Sequence, residues 1–161
     1  MRNILESDYN WHQLSIGNHI LVPEEKEICI KFATYRLSHL YIENININDI
    51  TYNSDIYEII SENNGIKISF KKQEKWIDYE GIKINNLIPY SSYKLSIPVS
   101  YSSYIFLKFC SNIYKNRQFG YYIIGPNISL QNKTINDVNL SGISLSNTAF
   151  TNCYLTDVNF E

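Results

Sequence analysis

Apolar and polar residues alternate along most of the chain up to about residue 125. Ile28, Ile30 and Phe32 alternate with Cys29 and Lys31, and Ile45 and Ile47 with asparagines. Ile66, Ile68 and Phe70 alternate with Lys67, Ser69 and Lys71, and Tyr93, Leu95, Ile97 and Val99 with Lys94, Ser96 and Pro98. Ile105, Leu107 and Phe109 complete the series. A period of two places successive side chains on opposite faces, which is the signature of a half-buried strand. Turn-forming clusters separate the runs: Ile16-Gly17-Asn18, Val22 to Glu25, Asn63-Asn64-Gly65, Glu80-Gly81, Leu87-Ile88-Pro89 and Asn116 to Gly120. Short strands rich in β-branched and aromatic residues predict an antiparallel β-sandwich or a small barrel over residues 1–125. Only Asp55 to Asn63 and Ser111 to Asn116 carry a helical tendency. Pro98 suits an edge strand or a bulge, because it cannot donate to a ladder.

After residue 125 the period changes to five. Stepping back from Phe160 in fives gives Leu155, Phe150, Leu145, Leu140, Ile135 and Leu130, seven consecutive large apolar positions. The positions two earlier are mostly small or β-branched: Val158, Cys153, Thr148, Ile143, Val138, Lys133 and Ile128. The positions just after are polar and turn-prone, as in Ser141-Gly142, Ser146-Asn147, Thr151-Asn152 and Thr156-Asp157. Neither a helix at 3.6 nor a strand at 2 gives this beat; a short extended stretch followed by a corner does.

The units Val138 to Gly142, Ile143 to Asn147, Thr148 to Asn152 and Cys153 to Asp157 resemble the pentapeptide-repeat family. That resemblance implies a short right-handed quadrilateral β-helix over residues 126–161, joined to the first domain through Gly125-Pro126. One repeat would form each face, and the residues Leu130, Ile135, Leu140, Leu145, Phe150, Leu155 and Phe160 would stack inward as a repeat core. Lys133 and Tyr154 depart from the pattern, the first a charge and the second a bulky ring where small residues are expected. Some members of the family imitate duplex DNA, but seven faces make fewer than two coils, and the segment carries only Asp137, Asp157 and Glu161 against Lys133.

So few coils stack poorly alone, since solenoid repeats gain stability from neighbours. One end can lean on the β domain. The other ends at Phe160-Glu161 without a polar cap, and an uncovered end shares the liability of a bare sheet edge. The expectation is a non-enzymatic interaction or assembly module, with Tyr154, Leu155, Val158 and Phe160 forming the contact of a two-fold homodimer.

Charge and chemistry sharpen this reading mainly by exclusion. Net charge is −2, from 14 basic and 16 acidic residues, with no block of one sign, so nucleic acid is not an expected partner. No apolar stretch approaches the roughly 20 residues of a membrane span, and the N-terminus has no secretory-type apolar run; the expected location is the cytoplasm. Cys29, Cys110 and Cys153 are widely spaced and odd in number, which predicts small buried thiols rather than a disulfide scaffold or zinc site. His12, His19 and His39 lack metal-ligand spacing and read as ordinary surface or core histidines, with no metal or other cofactor expected. Ser91 to Lys94 fits Ser-x-x-Lys but precedes a strand and lacks partner motifs. Glu24, Glu25 and Glu27 beside Lys26 read as a solvated turn, not an acid/base pair.

Tyrosine is the remaining signal. Tyr90, Tyr93, Tyr101, Tyr104, Tyr114, Tyr121 and Tyr122 crowd one part of the chain. Most serve sheet packing, yet an exposed set made of Tyr90, Tyr93 and Tyr101 with Trp11 and Trp76 would suit a carbohydrate or a protein surface. A carbohydrate-binding sandwich is therefore the alternative reading, and an enzyme with a dispersed site a third.

Overall fold

The structure, a computed structural model, describes residues 12–14, 17–35, 39–70, 82–97, 104–109, 121–126 and 128–160. It is all-β, with antiparallel sheets and no closed barrel. The strands are β1 (His12–Leu14), β2 (Gly17–Pro23), β3 (Ile28–Tyr35), β4 (His39–Glu43), β5 (Ile50–Thr51), β6 (Tyr57–Glu62), β7 (Gly65–Phe70), β8 (Ile82–Ile84), β9 (Tyr93–Ile97), β10 (Tyr104–Phe109), β11 (Tyr121–Ile124), β12 (Ser129–Gln131), β13 (Thr134–Asn136), β14 (Ala149–Thr151) and β15 (Tyr154–Thr156). Among the described residues no helix is long and apolar enough to cross a membrane.

One sheet has the order β1-β10-β3-β8-β5 and the other β11-β2-β9-β4-β7-β6. Their apolar faces meet in a single core. Ile28, Ile30, Ile82 and Ile84 come from the first sheet, and Leu21, Leu40, Ile42, Ile68 and Leu95 from the second. Alternation decides which side chains enter it: on β9 Tyr93, Leu95 and Ile97 are buried, while Lys94 and Ser96 face outward. The open side of the six-stranded sheet from β9 to β6 is mostly polar, with Ile60 of β6 an exposed exception. At the β2–β11 edge the pattern breaks, because every residue of β11 is buried, as are Ile20 to Pro23 of β2. A strand buried on both faces needs cover on its outer side, and the C-terminal tail supplies it.

Two local expectations fail. Asp55 to Asn63 is not helical: Tyr57 and Ile59 are buried between exposed Glu58 and Ile60, and the segment pairs with β7 as β6. Ile45 and Ile47 do not form a strand. Asn46 instead caps a three-residue 3₁₀ turn, Ile47–Asp49, with its side chain accepting from Asn48 N–H at 2.9 Å. A local side-chain acceptor there outcompetes the ladder. The second helical expectation, Ser111 to Asn116, and the one for Pro98 lie outside the described residues.

Cysteine chemistry differs too. Cys29 on β3 is disulfide-bonded and half-buried, so the expectation of a small buried thiol is wrong there. Strand pairing brings together residues far apart in sequence, which spacing alone does not reveal. Cys153 is free and half-buried, and Cys110 lies outside the described residues.

Candidate functional site

The tail is built on corners. Asn132, Asp137, Gly142, Asn147, Asn152 and Asp157 all have positive φ, between 53° and 77°, at intervals of five residues. Glycine adopts this left-handed conformation freely, and Asn and Asp tolerate it better than most residues. Each corner therefore falls on a residue type that lowers its cost. Between corners the chain is extended, with its middle residue pointing inward. Each short side pairs in parallel with the one twenty residues later: Ser129 with Ala149, Thr134 with Tyr154, Asn139 with Asn159. Backbone bonds tie each pair. On the first side Ala149 N–H donates to the Ile128 carbonyl at 3.1 Å and Asn132 N–H to that of Thr151 at 3.0 Å. Four sides, residues 128–147, make a lower tier; residues 148–160 lie on it as an incomplete upper tier.

The lower tier belongs to the sandwich core. Ile128, Leu130, Ile135, Val138 and Leu140 are buried in the same apolar cluster as the sheets. A clamp holds it at the ends of β2 and β11. Lys133 Nζ lies 3.3 Å from Glu24 Oε2, with both side chains mostly buried, and 5.1 Å from the centre of the Tyr122 ring. The charge that departs from the repeat pattern is thus a clamp across the joint. It also corrects the reading of Glu24 as solvated; of that acidic turn Glu27 does stay in water, paired with Lys83 at 3.1 Å. Tyr122 is pushed up to about 12, by burial first and then by Glu24, Tyr90 and Cys153 around it.

A further close approach lies at Gly125, where β11 leads into the tail. Continuing the β2–β11 register sets Gly125 opposite His19, and a Cβ on Gly125 would sit 2.3 Å from His19 Cδ2. Only glycine lets the fully buried imidazole pack there. The Gly125 carbonyl accepts from Thr148 Oγ1 at 2.7 Å, which ties the upper tier to the same point. Burial lowers the His19 pKa to about 4, with the Gly17 backbone opposing in part. His19 is therefore a neutral core histidine.

Burial then falls away up the tail. Ile135 and Leu140 are 0 % and 1 % exposed, Leu145 and Phe150 are half-buried, and Leu155 and Phe160 are 40 % and 53 % exposed. Leu155 and Phe160 thus do not share the enclosed repeat core expected for all seven positions, because among the described residues no tier lies above them. Tyr154 is 74 % exposed and Val158 half-buried. Among the described residues β14 and β15 have a strand neighbour on one side only, so their outer backbone groups face away from any ladder. The four residues predicted as a contact do lie together on this rim.

The predicted aromatic set does not assemble in the same way. Tyr93 is buried at 5 % exposure on β9, and its hydroxyl accepts from Ile88 N–H at 3.1 Å, so it is a core residue and not a ligand-facing one. Period-two alternation already placed it on the face of Leu95 and Ile97. Tyr90 is exposed and strained, with φ of 65°, and its N–H donates to the Pro23 carbonyl at 2.7 Å. A bulky residue in that region is uncommon. Trp11, Trp76 and Tyr101 lie outside the described residues. Among the described residues no three His, Cys, Asp or Glu side chains gather as for a metal ion. What the sequence reading missed is the Lys133–Glu24 clamp, whose partners lie 109 residues apart. Comparison with family models, with curated proteins and with solved structures finds no match to this chain.

Proposed function

We propose that the protein is an assembly module in which the tail, a short β-helix of the pentapeptide-repeat type, joins two protomers end to end. The observation that carries this reading is the loss of burial up two repeated columns, from Ile135 and Leu140 at 0 % and 1 % to Leu155 and Phe160 at 40 % and 53 %. Clustered exposed apolar side chains on a rim of one-sided strands mark an interaction surface. A second copy is the simplest occupant, because its own upper tier has the same five-residue sides and the same Leu and Phe columns, so a two-fold axis matches like with like. The contact is apolar, and the only described charge on the upper tier is Asp157.

Mass in solution tests this directly. At tens of micromolar the chain is expected at twice its 18.9 kDa, and the Leu155→Asp, Phe160→Ser double variant at 18.9 kDa with its unfolding transition retained. A monomeric wild type at that concentration ends the proposal. The disulfide at Cys29 persists in oxidising surroundings, which weighs against the cytoplasmic placement expected from the N-terminal residues, and the assembly is proposed for such surroundings.

A further inference from the structure

The open face of the six-stranded sheet carries a cleft that the assembly reading does not use. It has a volume of about 300 Å³ and lies where β4, β6 and β7 end. Its origin is a register detail. Glu43 on β4 and Glu62 on β6 both stand opposite Gly65 on β7, so two carboxylates flank a position without a side chain. Their Cα atoms are two strand spacings apart, about 10 Å. Gly65 is required by the fold itself: a Cβ there would run into the Ile42 carbonyl and the Glu43 Cα of β4.

The neighbouring row holds Ser96, Tyr41 and Lys67 on β9, β4 and β7. Tyr41 reaches across β7 towards Glu62: interaction of its hydroxyl with that carboxylate, with partial burial and the carboxylate's charge, raises the phenol's pKa. The His39 ring stands edge-on to Tyr41 at 5.2 Å and 85°, fixing the phenol from behind. The cleft floor is closed by Asn44 and the Asn63-Asn64 turn, with Asn44 N–H donating to the Asn64 carbonyl at 2.6 Å.

We infer that this cleft binds a neutral sugar, one or two rings in size, through Tyr41, Glu43, Glu62, Asn44, Asn63 and Ser96. The chemistry of the lining selects that class. Carboxylates accept from hydroxyl groups, carboxamides and the serine both donate and accept, and a tyrosine ring offers an apolar face to C–H groups. An anion would meet two carboxylates. A metal ion would want a third ligand, and none joins the two glutamates among the described residues. A cationic amine would have to share the site with Lys67 one row away. The volume lies at the small end of ligand pockets, which suits a sugar better than a peptide. This site lies on the sandwich alone and stands whether or not the tails associate.

The test is a titration of the full chain with a panel of neutral mono- and disaccharides, followed through the backbone amide resonances of Asn44, Gly65 and Glu62. Saturable shifts at millimolar sugar are expected, with affinity reduced about tenfold or more in Glu62→Gln and in Tyr41→Ala. Both side chains lie on the open face, and an unchanged unfolding midpoint shows that the variants are folded. Leu155→Asp, which breaks the tail contact, is expected to bind sugar as the wild type does. No saturable shift with any sugar of the panel overturns the inference. Shifts with choline but not with sugars, or sugar binding indifferent to both cleft variants, overturn it as well.

Discussion

The two tiers of the tail follow the same five-residue pattern, yet they are not in the same state. In the lower tier Leu130, Ile135 and Leu140 are buried, because sheet residues lie beneath them and the upper tier above. In the upper tier Phe150, Leu155 and Phe160 occupy equivalent positions, with the tier below on one side and nothing described on the other. Inward direction is set by the five-residue beat, whereas burial is set by what stacks on each end. A repeat motif therefore predicts where a side chain points and not whether water reaches it. Lys133 makes the same point from below. A charged residue holds an inward position because the sandwich offers it Glu24 and the Tyr122 ring, and such an ion pair contributes only where both partners stay together.

Truncation should separate the tiers most clearly. Ile135→Ala removes a fully buried side chain and is expected to cost about 3–4 kcal/mol in chemical denaturation. Leu155→Ala at low protein concentration should cost less than about 1 kcal/mol, since much of that side chain is already in water. If Leu155→Ala becomes as damaging as Ile135→Ala when the protein is concentrated, the upper tier is covered in solution and the contrast belongs to the isolated chain only.

Acid should act beneath the lower tier, at the joint. His19 has a folded pKa of about 4 against 6.5 when unfolded, so it binds fewer protons when folded. Its contribution is complete above about pH 6.5 and is lost as the pH falls towards 4, on the order of 3 kcal/mol in all. Denaturation midpoints between pH 7 and pH 4 measure this loss, and a His19→Leu chain should lose less over the same interval. A smaller effect is expected from Lys133→Ala, about 2 kcal/mol, because Glu24 is left mostly buried without its counter-charge. The double change Lys133→Met, Glu24→Gln should recover most of it; equal damage from both would mean that the clamp acts through packing rather than charge. A smaller effect than that of Lys133→Ala is expected from Gly142→Ala, which meets no atom within 4 Å but places a Cβ at φ of 77°, for a cost of about 1 kcal/mol. Thermal unfolding should resolve that shift.

Strand assignment was legible wherever alternation was strict, as in β7 and β9, because a half-buried sheet imposes a period of two on any sequence that forms it. It failed at Ile45 and Ile47, where Asn46 captured the backbone locally, and at Asp55 to Asn63, where a short acidic stretch reads as helix until Tyr57 and Ile59 are seen to share a face. The corner residues from Asn132 to Asp157 could be read in advance, since few side chains tolerate a left-handed corner. The rim formed by Tyr154, Leu155, Val158 and Phe160 could also be anticipated, as it follows from counting sides. The cleft beside Tyr41 could not.

Local periodicity was enough to establish an all-β chain, a tail with a five-residue beat and the residues that turn its corners, because these depend on backbone preferences within a few positions. Pairing across the fold decided the rest: that Cys29 is bridged, that Lys133 meets Glu24, and that Glu43 and Glu62 flank one glycine. Each of these turns on which strands lie side by side and in what register. Register is chosen by the burial of whole faces at once, so no short stretch of the chain contains it.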